Sequence, residues 1–235
     1  MNNKVGVVIL SRYSSSRLPG KALKEIFGKK VLEYIIERVN QVFPLENIVL
    51  ATSSESSDDP IASFAESNGV GLYRGSLDNV SRRFYEAAHE KGWEYAIRIN
   101  GDNIFMDINL LKKVNELAIT QKFDFISNVK GRTFPKGMSV EAVKMNHYES
   151  VLSLIENDEN YREHVTLYLY EHDEHKKYHY ILNTDLPQVA GIQMALDTQE
   201  DFDRSQQIIA QFQKAHYYYN LEEIYNIIQN TSYEK

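Results

Sequence analysis

Close to its start the chain runs Val5-Gly6-Val7-Val8-Ile9-Leu10, a near-continuous apolar stretch rich in β-branched side chains. A strand of this kind must be covered on both faces, which is the situation of an inner strand in a parallel sheet. Residues 31–43 then place Leu32, Ile35, Ile36, Val39 and Phe43 at helical spacing, so a crossover helix is expected. The alternation continues with a strand at 47–52, a helix at 61–67 introduced by Ser57, Asp58, Asp59 and Pro60, a strand at 69–73, a helix at 79–91 and a strand at 95–100. This order predicts an α/β fold with a doubly wound, mostly parallel sheet of Rossmann-like type. Beyond it we expect helices at 110–120, 146–157, 161–170, 198–214 and 221–229, strands at 124–129, 138–145 and 178–183, and a loop at 131–137. The alternation breaks at about 129–185, which reads as an inserted arm or small lobe on a single domain spanning 1–235.

A doubly wound sheet binds ligands at the carboxyl ends of its strands. Three loops fall there. The first, Ser11-Arg12-Tyr13-Ser14-Ser15-Ser16-Arg17-Leu18-Pro19-Gly20-Lys21, follows the opening strand and carries three cations. Its spacing fits neither the P-loop nor the Rossmann glycine triplet, so its chemistry carries the reading. Gly20 permits a left-handed turn that aims N–H groups at an anion, the serines add hydroxyl donors, Arg12 and Arg17 fork onto phosphate oxygens, and Lys21 supplies a point charge. The bland alternative is an exposed polar turn. Charge distribution favours the anion site: residues 1–30 hold seven cations against Glu25 alone, a local +6 on a chain of net charge −7.

The second loop is Gly101-Asp102, and Asp197 ends a further apolar stretch. Two carboxylates at a sheet edge suit Mg²⁺, although Asp197 read alone, without a partner, is more readily an N-cap. The third, residues 74–83, puts Gly75 and Ser76 against a base or ribose and Arg82 near phosphate, or else is a plain helix cap. His172, His175 and His179 lie among charged residues and read as a solvated face.

Composition limits the remaining classes. The acidic balance argues against general nucleic-acid binding. Zero cysteines exclude a thiolate nucleophile and cysteine-ligated metals. No apolar run reaches roughly 20 residues, and the N-terminus has no signal-peptide pattern, so a cytoplasmic protein with no membrane partner is expected.

The loop 11–21 resembles the signature of the sugar cytidylyltransferases that make CMP-3-deoxy-octulosonate and CMP-acylneuraminate. Tyr73-Arg74-Gly75-Ser76, Arg98-Ile99-Asn100-Gly101-Asp102, Arg162-Glu163-His164-Val165-Thr166 and Leu196-Asp197-Thr198-Gln199-Glu200-Asp201-Phe202 are similar to the spore-coat polysaccharide branch of that family. The resemblance implies a nucleotidyltransferase fold, CTP as substrate, Mg²⁺ as cofactor, an acidic sugar acceptor, a role in surface polysaccharide or glycan biosynthesis, and a homodimer. It places Arg17, Lys21, Asp102 and Asp197 in catalysis, the two aspartates on the metal. Leu10, Ser11, Arg12, Ser14, Ser15, Ser16, Gly75, Ser76, Asn79, Arg82, Asn100 and Gly101 join them at the nucleotide, and Glu141, Glu163 and His164 lie toward the acceptor. Lys136 and Ser139 stand where the family often carries acids, and Asn103, Leu167 and Gln199 also depart from its pattern. Other readings stay open on the residues: a nucleotidyltransferase for a phosphonate, sugar phosphate or other small acid, a glycosyltransferase, or a non-catalytic nucleotide-binding protein.

Overall fold

The structure, a computed structural model, describes residues 4–14, 17–174 and 176–233. Its opening strand β1 (Val5–Leu10) is buried along its whole length. Because successive side chains of a strand face opposite ways, Val5, Val7 and Ile9 enter one core while Val8 and Leu10 enter a second on the other side of the sheet. Burying one such side chain is worth about 1.5–3 kcal/mol, so β1 alone fastens both layers.

A two-residue hairpin follows, β2 (Glu25–Ile26) and β3 (Lys29–Lys30), then α1 (Val31–Asn40), β4 (Ile48–Ser53), α2 (Asp59–Ser67), β5 (Gly71–Gly75), α3 (Val80–Glu90), β6 (Tyr95–Asn100) and α4 (Ile108–Ile119). The second part holds β7 (Phe125–Ser127), β8 (Glu141–Lys144), α5 (Met145–Ile155), α6 (Glu159–Glu163), α7 (Leu167–Glu171), β9 (Tyr178–Tyr180), α8 (Gln199–Ala210) and α9 (Leu221–Tyr233). Seven strands form one sheet in the order β5-β4-β1-β6-β8-β7-β9. All neighbours are parallel except β8, which is antiparallel to both β6 and β7. Helices α1, α2, α4, α8 and α9 cover one face, and α3, α5 and α7 the other. The doubly wound, mostly parallel sheet expected from the alternation is what the chain forms, with α5–α7 as the inserted helical lobe.

From β1 the chain steps outward to β4 and β5, then returns to β6 on the opposite flank of β1. That reversal opens a crevice at the carboxyl ends of β1 and β6, the usual ligand position in such sheets. Backbone geometry keeps it narrow. Gly101 N donates to Leu10 O at 2.8 Å, and a Cβ on Gly101 would lie 2.7 Å from the Ser11 side chain. No helix among the described residues is long and apolar enough to cross a membrane.

Candidate active site

The crevice widens into a cleft of about 460 Å³ whose walls come from five places in the chain. Leu10, Ser11, Arg12, Ser14, Arg17 and Lys21 enter from the loop after β1, and Val80 and Arg83 from α3. Arg98, Asn100, Gly101 and Asp102 come from β6, while Glu163, His164 and Asp197 complete it. Its five Arg and Lys side chains outnumber its three carboxylates, so the cleft is basic on an acidic protein.

The loop after β1 is a folded structure. Gly20, at φ +67°, turns the chain so that its N–H donates to Tyr13 O at 2.9 Å, and a Cβ there would press on the Tyr13 ring at 3.2 Å. Leu18 and Ala22 are buried beneath it. Asp58 fixes the other limb: fully buried, it accepts from Tyr13 N at 2.7 Å, from Ser53 N at 3.0 Å and from the Ser53 hydroxyl. Burial alone would raise the Asp58 carboxyl, but these hydrogen bonds together hold it below the usual carboxylate range. Ser15 and Ser16 lie outside the described residues.

Lys21, Asp102 and Asp197 meet at the centre. Lys21 Nζ donates to Asp102 Oδ2 at 2.7 Å, to Asp197 Oδ1 at 3.3 Å and to Leu196 O at 2.7 Å. Arg17 Nη2 reaches the same Asp197 oxygen at 3.0 Å. Asp197 is free to do this because Thr198 caps α8, with Asp201 closing the capping box, so the N-cap alternative falls to the next residue. Leu196 N donates to Asp102 O at 3.2 Å, which brings the two carboxylates together although 95 positions separate them in sequence. Their oxygens converge on one cation-sized position, an all-oxygen donor set of the kind Mg²⁺ takes while keeping places for water and phosphate. Among the described residues, no group of three or more His, Cys, Asp or Glu stands ready to hold a metal.

Arg12 Nη2 pairs with Glu163 Oε1 at 2.8 Å across the cleft mouth, next to His164. The third expected loop contributes differently from its reading. Gly75, Ser76, Asn79 and Arg82 are not in the cleft lining. Asn79 caps α3 through Arg82 N at 2.9 Å, Ser76 Oγ accepts from Asn79 N at 3.0 Å, and Arg82 turns outward onto Glu156. Arg83, one position on, occupies the place expected of Arg82. It is buried, and desolvation, helped by neighbouring Arg12, pushes its guanidinium down to about 10, still charged at neutral pH. Arg98 is the second residue the motifs left without a role. It ion-pairs with Glu141, its cross-strand partner on β8. Both Arg83 and Arg98 keep a buried Nε with no partner, donors that an anion in the cleft would satisfy.

Glu141 belongs to a neighbouring cavity of about 560 Å³, which shares Arg98, Asn100 and His164 with the cleft. It is almost wholly buried, accepts from Thr166 Oγ1 at 2.9 Å and from the Tyr170 hydroxyl, and thus supports the wall through Arg98. Lys130 and Arg132 add further positive charge, and Glu141 is the one acid of that lining.

A doubly wound sheet carrying a cation loop and a convergent carboxylate pair at its switch point defines an enzyme that handles nucleoside triphosphates, a nucleotidyltransferase. The chain belongs to the cytidylyltransferase family, whose pattern it matches over residues 6–234. It is 28% identical over 217 residues to the spore coat polysaccharide biosynthesis protein SpsF of Bacillus subtilis, covering 91% of this chain and 88% of that one. A cytidylyltransferase from Leptospira borgpetersenii superposes with a TM-score of 0.89 at 28% identity, over 97% of this chain and 95% of the other. The CMP:2-keto-3-deoxy-manno-octonic acid synthetase solved with CTP shares the fold, with a TM-score of 0.63 at 17% identity over 88% and 99% of the two chains. Family membership makes this chain a CTP-using transferase rather than a glycosyltransferase or a non-catalytic nucleotide binder.

Proposed function

We propose that the enzyme transfers CMP from CTP to a hydroxyl of a 2-keto-3-deoxy sugar acid, releasing pyrophosphate, in the assembly of a surface polysaccharide or glycan. One observation carries the choice of an acidic acceptor: the cavity that continues the nucleotide cleft is lined by Arg98, Lys130 and Arg132 against Glu141 alone, and with Glu141 paired to Arg98 and Asp173 to Lys130, Arg132 remains as its unpaired positive charge. The similarity to a spore coat polysaccharide biosynthesis protein and the fold shared with CMP:2-keto-3-deoxy-manno-octonic acid synthetase support the same reading.

In the reaction the acceptor oxygen forms a bond to the α-phosphorus of CTP, the bond from that phosphorus to the bridging oxygen breaks, and pyrophosphate leaves with the electron pair. The acceptor's proton passes to solvent. Such a displacement asks the protein for alignment and charge neutralisation more than for covalent chemistry. Asp102 and Asp197 would hold Mg²⁺, which when bound neutralises charge on phosphate oxygens. Lys21 then leaves the carboxylates for the triphosphate, where with Arg12 and Arg17 it offsets the charge that grows on the departing pyrophosphate. Ser11 and Ser14 line the same wall. Arg98 and His164, at the junction of the two cavities, meet the acceptor's carboxylate and bring its hydroxyl toward the cleft.

The test is pyrophosphate release measured with each of the four nucleoside triphosphates against a panel of keto-sugar acids, sugar phosphates and phosphonates. Release with CTP and a keto-sugar acid is expected. Release confined to phosphonates or to phosphates of sugars that lack a carboxylate would contradict the acceptor assignment.

A further inference from the structure

The acceptor cavity does not end at Arg132. It shares Val129, Arg132 and Ser139 with a third concavity of about 430 Å³, so the groove runs on from the nucleotide cleft into a pocket walled by Phe134 and Pro135. Two cations, Arg132 and Lys136, line this end and no carboxylate does. We propose that they form a second anion subsite, so that the acceptor carries a phosphate or a second carboxylate at the end remote from its reacting hydroxyl. The inference rests on the acceptor reading above and adds to it the chemistry of the acceptor's far end.

Three observations carry it. The first is the contrast in pairing. In the nucleotide cleft Arg12, Arg17 and Lys21 each hold a carboxylate, and Lys130 pairs with Asp173. The side chains of Arg132 and Lys136, by comparison, have no ion pair or hydrogen bond among the described residues, on a protein of net charge −7 with acids to spare. Both side chains are exposed beside this concavity, and two unneutralised cations there attract an anion.

The second is that the backbone is built to hold them there. Lys136 N donates to Ile192 O at 2.9 Å and Lys136 O accepts from Met194 N at 2.9 Å, so the residue is clamped from both sides. Next to it Gly137, at φ +87°, lets the chain pass so close that a Cβ would lie 2.3 Å from Ala195 N. Buried Asn128 closes the loop, donating to Met138 O at 2.9 Å and accepting from Val140 N at 2.8 Å.

The third is strain. Arg132 sits at φ +53° directly after Gly131 at φ +79°. A left-handed conformation is unfavourable for a side chain of this size and persists only where the surroundings enforce it. Here it sets a guanidinium at the boundary between the two cavities. Arg132 offers a planar fork and Lys136 a mobile point charge, a combination suited to phosphate or carboxylate oxygens.

The experiment compares three acceptors that differ only at C8: 3-deoxy-manno-octulosonate, its 8-phosphate, and the analogue oxidised to a carboxylate at C8. Pyrophosphate release with CTP gives kcat/KM for each. At least one charged form should exceed the neutral one by about tenfold or more, the value of one charge-assisted contact. Whichever charged form is preferred identifies the group. In the double variant Arg132→Gln, Lys136→Gln that ratio should fall to about one, and Lys136→Arg should restore part of it. CTP affinity, measured directly by calorimetry, reports that the variants are folded. A neutral acceptor used as well as the charged ones, or a preference that survives the double variant, would overturn the subsite. No release with any of the three would overturn the sugar-acid reading and this inference with it, an outcome distinct from equal release.

Discussion

At the scale of single residues the site is a set of charges that neutralise one another until substrate arrives. Lys21 lies between Asp102 and Asp197 as a resident cation; its removal would leave Asp102 without its ion pair while Asp197 keeps Arg17. Asp102→Asn keeps the shape and removes the charge, so pyrophosphate release should fall by about two to three orders of magnitude, the scale of losing a transition-state charge contact. Circular dichroism should show an unchanged fold; near-normal turnover at saturating Mg²⁺ would remove Asp102 from the metal. Asp58 acts at one remove by holding the β1 loop through Tyr13 N. Its carboxyl lies below the ordinary range in the folded protein, so its contribution to stability is full above about pH 4 and is lost as pH falls through the lower folded value. Asp58→Asn should therefore cost about 1–3 kcal/mol at neutral pH and flatten the acid limb of a denaturation-against-pH curve. Arg83 shows what could have been read from the sequence. It shares the buried stripe of α3 with Val80, Phe84 and Ala87, and that helical period separates it from outward-facing Arg82. Arg98 could not be read so, because its pairing with Glu141 depends on a strand register that only the fold supplies.

At the scale of elements, periodicity carried most of the fold. The strands and helices up to β6 lie within about two residues of the positions their patterns predict, because each is long enough for period 2 or 3.6 to show. The exceptions are short or externally held. The β2–β3 hairpin turns through Phe27 and Gly28, both at positive φ, with only two residues on each side, too few to reveal a pattern. The helix expected at 161–170 is two helices, broken where Val165 is drawn into the core and Thr166 bonds Glu141. That break places His164 in both the cleft and the acceptor cavity. A comparable dependence joins the loop before β8 to the carboxylate pair of the cleft, since Gly137 packs backbone to backbone on Met194 and Ala195, two residues before Asp197. Gly137→Ala should push that segment away, lowering kcat of the folded enzyme by about tenfold or more and lowering the melting temperature as well, because the added Cβ meets backbone at a left-handed position. An unchanged kcat would show that the position of Asp197 does not depend on this contact.

For the molecule as a whole, nucleotide binding should couple to stability because the cleft is assembled from both halves of the chain. Ligand at about a hundred times its Kd adds about 2.7 kcal/mol, which for a protein of this size raises Tm by about 5–10 °C. Calorimetry should show this shift with CTP and Mg²⁺ together and most of it lost on adding a chelator. An equal shift without the metal would mean that Asp102 and Asp197 do not hold it against the nucleotide. The doubly wound architecture was legible because alternation of strands and helices admits few alternatives, and the cation loop because its three cations directly follow the opening strand on a chain of net charge −7. The groove from Arg98 to Lys136 was not, since it is lined from separate stretches of the chain that only the folded sheet brings side by side. The central claim is that this chain joins CMP to an acidic acceptor in the β1–β6 crevice, and phosphorus NMR of the reaction mixture tests it most directly. With CTP, Mg²⁺ and a keto-sugar acid, the triphosphate signals should give way to equal amounts of pyrophosphate and one phosphodiester linking CMP to the acceptor. Free CMP without the diester, or CTP left intact with every acidic acceptor, would contradict the account.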